Sequence, residues 1–486
     1  MRRGVVAVTA VAALAAVALS GWALLSPRHS TVGRNVFVNP PGIIDGFSTP
    51  TIVTNPRNPN EVAVTYREDR PNLTASLSWS TDRGGSFHQT NLPLPAGLDR
   101  PFFPDAAFAP DGTLYVAYAN LIGPGNVPGN LWVARSPDAG RTLSTPTLVA
   151  TAMTFQPRIT IGAGRALNLT WLQSNRVMGQ PAVTGGQVRV MMAHSPDGGR
   201  TWSTPSPVNP EDGRLVSAAS AAVDRSSIVV AYERFGPTAD NLGTGGTTPQ
   251  PDTYDIVVTR SGPGGTGFSP PAVVAANVRT TQRFSLFFPQ FPSLAAAPDG
   301  SLYLTWSQGR AKGQDALVAR SQDLGTHWSP PVRANDNPAG DGTARSLPTL
   351  SVAPNGRVDV VMIDQRNDPS GLFAEAYLAT STDGARSFHD VRLSSATFDT
   401  RVGPSFGGNL PPDIGSHLSV VSQRAGVQAA WADSRLGTET TARQDIVTAH
   451  VSVPGTGLGS RKWLLVAAGV LLLGAAAVLL VSRRRA

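Results

Sequence analysis

The chain has 486 residues, 41% of them hydrophobic, with 49 glycines, 41 prolines and no cysteine, which allows a large core with many tight turns and excludes disulfides and thiolate chemistry. The formal net charge of +7 does not indicate a nucleic-acid partner, because seven positive residues lie in the two flanks and 7 − 7 leaves the rest near neutral. These flanking residues are Arg2, Arg3, Arg461, Lys462, Arg483, Arg484 and Arg485.

Both ends of the chain carry long apolar segments. Residues 4–25 have no charge and follow Met1-Arg2-Arg3, which is typical of a signal peptide or an uncleaved signal anchor over residues 1–26. Residues 463–482 predict a transmembrane helix, with a linker at 454–462 before it and an arginine-rich tail at 483–486 after it. Because positive flanks favour the cytoplasm, we expect residues 34–453 on the extracytoplasmic side of the cell membrane.

Between these segments the chain contains seven units with a strand pattern. Each unit includes one well-marked strand in which apolar residues alternate with small or polar ones, at residues 61–69, 113–120, 166–173, 227–234, 301–308, 357–366 and 427–435. No sustained helical periodicity occurs there. Seven units predict a β-propeller with seven blades, with six blades as the alternative. The last unit lacks a fourth strand, and we expect Arg34–Asn39 to supply it and close the ring.

One short motif, Ser-x-Asp-x-Gly-x-x-aromatic, recurs about every 60 residues. Its Ser and Asp side chains are suited to bond the backbone of their own turn, and its Gly reaches dihedral angles that other residues avoid. Two of the six copies depart from the pattern, with Pro263 in place of Asp and Ala385 in place of Gly. The predicted turn residues are Ser80, Asp82, Gly84, Ser136, Asp138, Gly140, Ser195, Asp197, Gly199, Trp202, Ser321, Asp323, Gly325, Trp328, Ser381 and Asp383.

This repeat resembles the Asp-box, or BNR, repeat of the sialidase-like β-propellers, and the resemblance covers residues 34–453. It implies an all-β fold in which Asp-box turns join the third and fourth strands, while loops at the opposite, upper face hold a ligand. In that family three arginines hold a sugar carboxylate, a Tyr polarised by a Glu is the nucleophile, and an Asp is the acid/base. Such a motif implies the fold more strongly than the activity.

The family's catalytic set does not transfer residue by residue. Where the family has Arg-Ile-Pro before the first strand, this chain has Ser48-Thr49-Pro50, and the nearest similar segment, Arg345–Pro348, is one residue longer. Tyr232 and Glu233, which end a second strand, are the catalytic candidates. Aromatic residues at equivalent positions of other units favour blade packing as the alternative interpretation.

The predicted upper loops are rich in arginine and carboxylate side chains. Since a guanidinium pairs bidentately with a carboxylate, they predict a site for an anionic, hydroxylated ligand. The alternative is that each Asp-x-Arg pair, such as Asp364 with Arg366, only ties its own loop. The candidate ligand-binding residues are Arg158, Arg234, Arg345, Arg366, Arg435, Asp364, Asp433 and His417.

These observations predict a membrane-anchored, extracytoplasmic propeller that binds or assembles at the cell surface, with an anionic glycan or a surface protein as partner. The alternative is an exo-sialidase-type glycoside hydrolase with a non-standard catalytic set. A scaffold that packs against a membrane partner through the lower face is a third class. Seven scattered histidines predict neither a metal site nor a cofactor, and a Ca²⁺ site built from loop Asp and carbonyl oxygens is the alternative.

Overall fold

The computed structural model describes residues 30–124, 126–174, 188–214, 216, 219–224, 227–235, 253–262, 264–265, 267–279, 292–309, 313–405 and 412–453. The predicted terminal segments 1–26 and 454–486 lie outside these residues. Within the described ranges the regular structure is β-strand, and no helix there is long and apolar enough to cross a membrane.

The chain divides into two compact units. The smaller comprises residues 1–31, 424–426 and 451–486; within it the Val453 amide donates a hydrogen bond to the Ala425 carbonyl. The larger comprises residues 32–423 and 427–450. This larger unit contains the propeller core, and all sites considered below lie in it.

In the part of the chain that the structure describes, seven antiparallel sheets form the blades, and most strands that are consecutive in the chain are neighbours in their sheet. Blade 1 is β3 (Gly46–Thr54), β4 (Val62–Arg70), β5 (Thr74–Ser80) and β6 (His88–Asn91); blade 2 is β7 (Pro101–Phe108), β8 (Leu114–Ile122), β9 (Val127–Ser136) and β10 (Thr147–Ala150); blade 3 is β11 (Met153–Ile161), β12 (Leu167–Ser174), β13 (Val188–Ser195) and β14 (Ser206–Pro207).

The remaining blades follow in the same order. Blade 4 is β15 (Ser220–Asp224), β16 (Ser227–Phe235), β17 (Tyr254–Ser261) and β18 (Ala272–Val278); blade 5 is β19 (Ser293–Ala296), β20 (Leu302–Gly309), β21 (Gln314–Ser321) and β22 (Val332–Arg333); blade 6 is β23 (Arg345–Val352), β24 (Val358–Asp364), β25 (Phe373–Ser381), β26 (His389–Arg392) and β27 (Phe398–Asp399); blade 7 is β28 (Ser419–Gln423), β29 (Gly426–Asp433) and β30 (Asp445–Ser452) with β1 (Thr31–Val32) and β2 (Val36–Phe37).

The two faces of each second strand pack against different blades. In β16, Ile228, Val230 and Tyr232 lie in a buried cluster with blade 3, whereas Val229 and Ala231 lie in a cluster with blade 5. This follows from the alternation of side chains along a strand. Blade 4 is therefore apolar on both faces of its second strand, as burial between two neighbouring blades requires.

The first strands of the blades contact one another in a closed circuit, in which β28 of blade 7 contacts β3 of blade 1. The N-terminal strand β2 pairs antiparallel with β30, with Val36 opposite Thr448. Asn39 continues this closure, because its side-chain amide donates a 2.9 Å hydrogen bond to Asp445. The predictions of seven blades and of closure by residues 34–39 are confirmed, and the six-blade alternative is wrong.

The repeated Ser-x-Asp segments all follow third strands. In the first copy the Ser80 hydroxyl donates to Asp82 and accepts from the Gly84 amide at 2.9 Å, and Asp82 accepts from the Ser86 amide at 2.9 Å. The copies at Ser136, Ser195, Ser321 and Ser381 make the corresponding bonds. Ala385 takes the glycine position with φ +66°, a conformation that costs a residue with a Cβ about 1–2 kcal/mol.

Candidate functional site

The first strands of four blades contain the same β-bulge at a proline. Thr49, Phe103, Gln156 and Leu347 have φ between +50° and +57°, and each precedes a proline. At each of these positions the ladder to the second strand shifts register. The prolines therefore lie inside the strands at bulges, which set the direction of the residue that follows.

The residues after these bulges, with their equivalents in the other blades, form a polar set that we call the axial ring. Five members carry a hydroxyl, and two form an Asp-Arg pair. Members accept hydrogen bonds from backbone amides of the next blade, as Ser419 does from Ile52 at 2.9 Å and Ser220 from Leu294 at 3.0 Å. Backbone amides at the inner edges of the sheets are thus hydrogen-bonded by side chains of the ring. The ring consists of Thr51, Asp105, Arg158, Ser220, Ser293, Thr349 and Ser419.

The Asp-Arg pair of the ring lies between blades 2 and 3. Asp105 is buried and accepts from Arg158 at 3.1 Å, from the Thr51 hydroxyl at 2.9 Å and from the Ile159 amide at 2.8 Å. Burial raises the pKa of Asp105, and the Arg158 guanidinium opposes that rise. Arg158 keeps 19% of its side chain exposed, so this cation is oriented by a buried carboxylate and is still accessible to solvent.

His417 is buried beside the ring and is not exposed to a ligand. It is buried, and its Nε2 is 3.4 Å from the Thr51 hydroxyl. Burial, with the positive charges of Arg158 and Arg67, lowers the pKa of His417 well below its usual value. The imidazole is therefore neutral at pH 7 and does not supply a positive charge to an anion.

A second buried cluster joins blade 1 to the segment before blade 7; we call it the seam clasp. Arg67 contacts Asp69 at 2.5 Å and Asp413 at 2.8 Å, and its side chain is 1% exposed. Ser48 donates to Asp69 at 2.6 Å, and the Gly415 amide donates to Asp413 at 2.8 Å. Nothing in the sequence indicates that Arg67 and Asp413, which are 346 residues apart, meet across the closure of the ring.

The blade 6 candidates are held in ion pairs. Arg345 is buried between Asp341, at 2.6 Å, and Asp364, at 3.3 Å. Arg366 contacts the same Asp364 at 2.6 Å, and its guanidinium lies 4.1 Å from the centre of the Tyr377 ring. Asp364 also accepts from the Arg366 amide at 2.7 Å. These are the contacts expected if an Asp-x-Arg pair ties its own loop.

Blade 7 repeats this arrangement. Asp433 accepts from the Arg435 amide at 3.0 Å and from the Arg435 guanidinium at 2.5 Å. Arg435 also donates to Asn35 at 3.0 Å and to Ser395 at 2.7 Å. The positive charge of Arg435 is therefore neutralised locally, and the contacts favour a structural role for the pair.

Tyr232 and Glu233 do not form the pair that a tyrosine nucleophile needs. They are consecutive residues of β16, so their side chains lie on opposite faces of the sheet. Tyr232 packs in the apolar cluster with blade 3, and burial raises the pKa of its hydroxyl. Glu233 is buried as well. Tyr232 is therefore a core residue, as the blade-packing alternative predicted.

Arg234 follows these residues at the end of the same strand. Its guanidinium lies 3.7 Å from Asp255 of the neighbouring strand and 4.0 Å from Asp212, and its side chain is 18% exposed. Arg234 is therefore held by two aspartates, neither of which belongs to the axial ring. Among the described residues, no group of three or more His, Cys, Asp or Glu side chains could hold a metal ion.

No family model matches the chain, and no curated protein matches it. Among solved structures it is similar to a protein of unknown function from Dyadobacter fermentans (13% identity, 88% of this chain and 100% of that chain, TM-score 0.49) and to an ulvan lyase (12%, 89% and 99%, 0.49). A Hadza microbial sialidase is 13% identical over 80% of this chain and 76% of its own, with TM-score 0.43. At this level of similarity none of them identifies an activity for this chain.

The class of protein is thus defined by the structure itself. The larger unit is an all-β, seven-bladed propeller, closed by its N-terminal strand, with a polar ring along its first strands. In that ring Arg158 is the one member with a positive charge, and it is partly exposed.

Proposed function

We propose that this protein is a membrane-anchored, extracytoplasmic propeller of the sialidase-like Asp-box type that binds anionic glycans at the cell surface. In this proposal residues 463–482 form the anchor and the upper face is directed away from the cell. A carboxylate or sulfate group of the glycan contacts Arg158, and the hydroxyl-bearing members of the axial ring accept or donate hydrogen bonds to sugar hydroxyls.

The observation that carries this proposal is the contrast between Arg158 and the other candidate arginines. Arg345 and Arg366 each contact at least two carboxylates at 3.3 Å or less, so their charge is already compensated. Arg158 donates to the buried carboxylate of Asp105 at 3.1 Å and lies 3.4 Å from the Thr51 hydroxyl, and 19% of its side chain is exposed. A guanidinium that a buried carboxylate orients, and that is still partly exposed, is preorganised to bind an anion.

The contacts favour binding over the alternative of a sialidase-type hydrolase. A nucleophilic tyrosine must reach the sugar and lose a proton, whereas the Tyr232 hydroxyl is buried and its pKa is raised. The second requirement, three arginines around the carboxylate of a sugar, is not supported by Arg345, Arg366 and Arg435, since all three guanidinium groups are already paired with aspartates of the protein.

The experiment measures binding of sialyllactose by the full chain in a neutral detergent, with lactose as the uncharged control. We expect saturable binding of sialyllactose that Arg158→Gln weakens about tenfold or more, as the loss of a charge-assisted hydrogen bond implies. Arg234→Gln is the matched control, because Arg234 has nearly the same exposure and also faces an aspartate. Equal weakening by both variants, or equal affinity for lactose, would refute the proposal.

Hydrolysis of a fluorogenic sialoside separates the two functions in the same preparation. We expect no turnover by the wild-type chain. Turnover that is lost in Tyr232→Phe and Glu233→Ala, with both variants folded, would establish the hydrolase alternative in place of binding.

A further inference from the structure

The face that carries the Ser-x-Asp turns has a groove between blades 2 and 3 of about 270 Å³. Tyr115, Arg135 and Gly198 line it, together with Gly199, Arg200, Ser144, Thr145 and Thr147. Tyr115 and Arg135 are directly opposite each other on β8 and β9, and Arg200 belongs to the turn of blade 3. This groove is separate from the axial ring and was not a predicted site.

The groove is surrounded by more positive than negative charge. Arg135 and Arg200 line it, and Arg165 lies at the side of blade 3, where its guanidinium is 3.5 Å from Asp111. These three arginines all oppose the rise that burial causes in the pKa of Tyr115. The nearby Asp197 is occupied by its own turn, since it accepts from the Thr201 amide and hydroxyl at 2.9 and 2.7 Å.

Small residues keep the groove open. A Cβ at Gly198 would lie 2.8 Å from the Tyr115 hydroxyl, and Gly198 and Gly199 have φ of +73° and +77°. Any larger residue at position 198 would therefore collide with the tyrosine that lines the groove. The tyrosine hydroxyl and the two guanidinium groups at the groove are all hydrogen-bond donors suited to an oxyanion.

The repeat provides an internal comparison between blades 5 and 6. Tyr303, Arg320 and Arg386 occupy there the places of Tyr115, Arg135 and Arg200. Arg320, however, folds over the Tyr303 ring at 5.6 Å and is bound to Asp299 at 3.2 Å and to the Ser301 hydroxyl at 2.7 Å. It thereby fills its own groove, and a Cβ at Gly384 would lie 3.0 Å from its guanidinium.

Arg135 has no such partner. Among the described residues its guanidinium makes no ion pair or hydrogen bond, and Asp111, the equivalent of Asp299, is instead the partner of Arg165 from the next blade. In blade 5 the aspartate of this turn pairs with the arginine of its own blade, whereas in blade 2 it pairs with Arg165 of blade 3. The groove between blades 2 and 3 therefore stays open, and the positive charge of Arg135 at its side is not compensated.

We propose that this groove binds a phosphate-class oxyanion. The anion is either a free inorganic phosphate or the phosphate of an anionic lipid head group. It is held by the guanidinium groups of Arg135 and Arg200 and by the Tyr115 hydroxyl. Binding at this face is independent of glycan binding at Arg158, because the groove shares no residue with the axial ring.

The test is a calorimetric titration of the full chain, in neutral detergent and at low ionic strength to limit screening, with inorganic phosphate. Arg200→Gln is compared with Arg386→Gln, since both arginines donate a 3.2 Å bond to the carbonyl of the Asp in their own turn. We expect Arg200→Gln and Arg135→Gln each to weaken phosphate binding about tenfold or more, and Arg386→Gln to leave it unchanged.

The source of the anion is distinguished by repeating the titration in micelles that contain phosphatidylglycerol or phosphatidylcholine. Phosphate binding that is abolished only by phosphatidylglycerol supports the lipid head group, whereas binding that persists in both supports the free anion. The absence of saturable binding of either anion, or equal weakening by Arg200→Gln and Arg386→Gln, would overturn the proposal.

Discussion

The strongest stability prediction concerns the seam clasp. Arg67→Met keeps much of the apolar stem but removes the charge that Asp69 and Asp413 share at 2.5 and 2.8 Å. Removing one partner of a buried ion pair leaves an uncompensated charge and costs about 3–5 kcal/mol. With about 2.1 cal/mol/K per residue over the roughly 420 residues of the propeller, this corresponds to a fall in Tm of about 3–6 °C.

The pH dependence of this variant gives a sharper measurement. Burial already raises the pKa of Asp413, and Arg67 opposes the rise, so Arg67→Met raises that pKa further. A carboxyl group whose pKa is raised in the folded state destabilises the fold while it is ionised. This destabilisation disappears when the pH falls and the group becomes protonated. The deficit in Tm of Arg67→Met, measured by calorimetry against wild type, should therefore shrink as the pH falls from 7 towards 5.

A double-mutant cycle supplies the control. Asp413→Asn removes one of the two carboxylates that Arg67 compensates, so the combined variant with Arg67→Met should lose less stability than the two single variants added together. The reasoning would be refuted if Arg67→Met lost under 1 kcal/mol at pH 7, or if its deficit grew on acidification.

Three further predictions follow from other parts of the fold. Hydrogen bonds lower the pKa of Asp82 and Asp197 to about 2. The stability that these two carboxylates contribute is therefore present above about pH 4 and should be lost as the pH falls towards 2. Asp82→Asn should flatten that part of a plot of Tm against pH. Tyr232→Phe removes a buried hydroxyl without a hydrogen-bond partner among the described residues, and we expect the free energy of unfolding in urea to stay the same or rise by up to about 1 kcal/mol. Gly415→Ala places a Cβ 2.7 Å from the Thr49 amide nitrogen at φ +93° and should lower the same free energy by roughly 2 kcal/mol or more.

The blade pattern could be predicted from the sequence because it is local. Alternation along each second strand and the turn residues after each third strand are encoded within a few positions, so the seven units and their turns were visible. The closing strand could also be predicted, since a last unit with three strands leaves an edge that a free N-terminal segment can cover.

The site was harder to predict because its members meet only through the ring. Arg158 was predicted in an upper loop, whereas the structure places it inside β11, after a bulge, and pairs it with Asp105 of β7. Five members of the axial ring directly follow a proline in the sequence, and this was the signal that could have identified the ring as a set.

Pairing between distant residues explains the other differences. The sequence shows that Arg345 precedes a proline and that Arg366 follows Asp364. It does not show that both guanidinium groups contact the same buried carboxylate. Likewise, adjacency of Tyr232 and Glu233 indicated a pair, although consecutive strand residues necessarily point in opposite directions.

Closure by the N-terminal strand has a consequence for synthesis of the chain. Asn39 binds Asp445, which lies 406 residues later, and Arg67 binds Asp413, which lies 346 residues later. During translation the early partners therefore emerge long before the later ones, and blade 1 carries an incomplete clasp until nearly all of the propeller has left the ribosome. Contacts of such high sequence separation form late and slowly. The nascent protein therefore passes through an open ring, and its exposed strand edge is covered only when its own C-terminal part arrives.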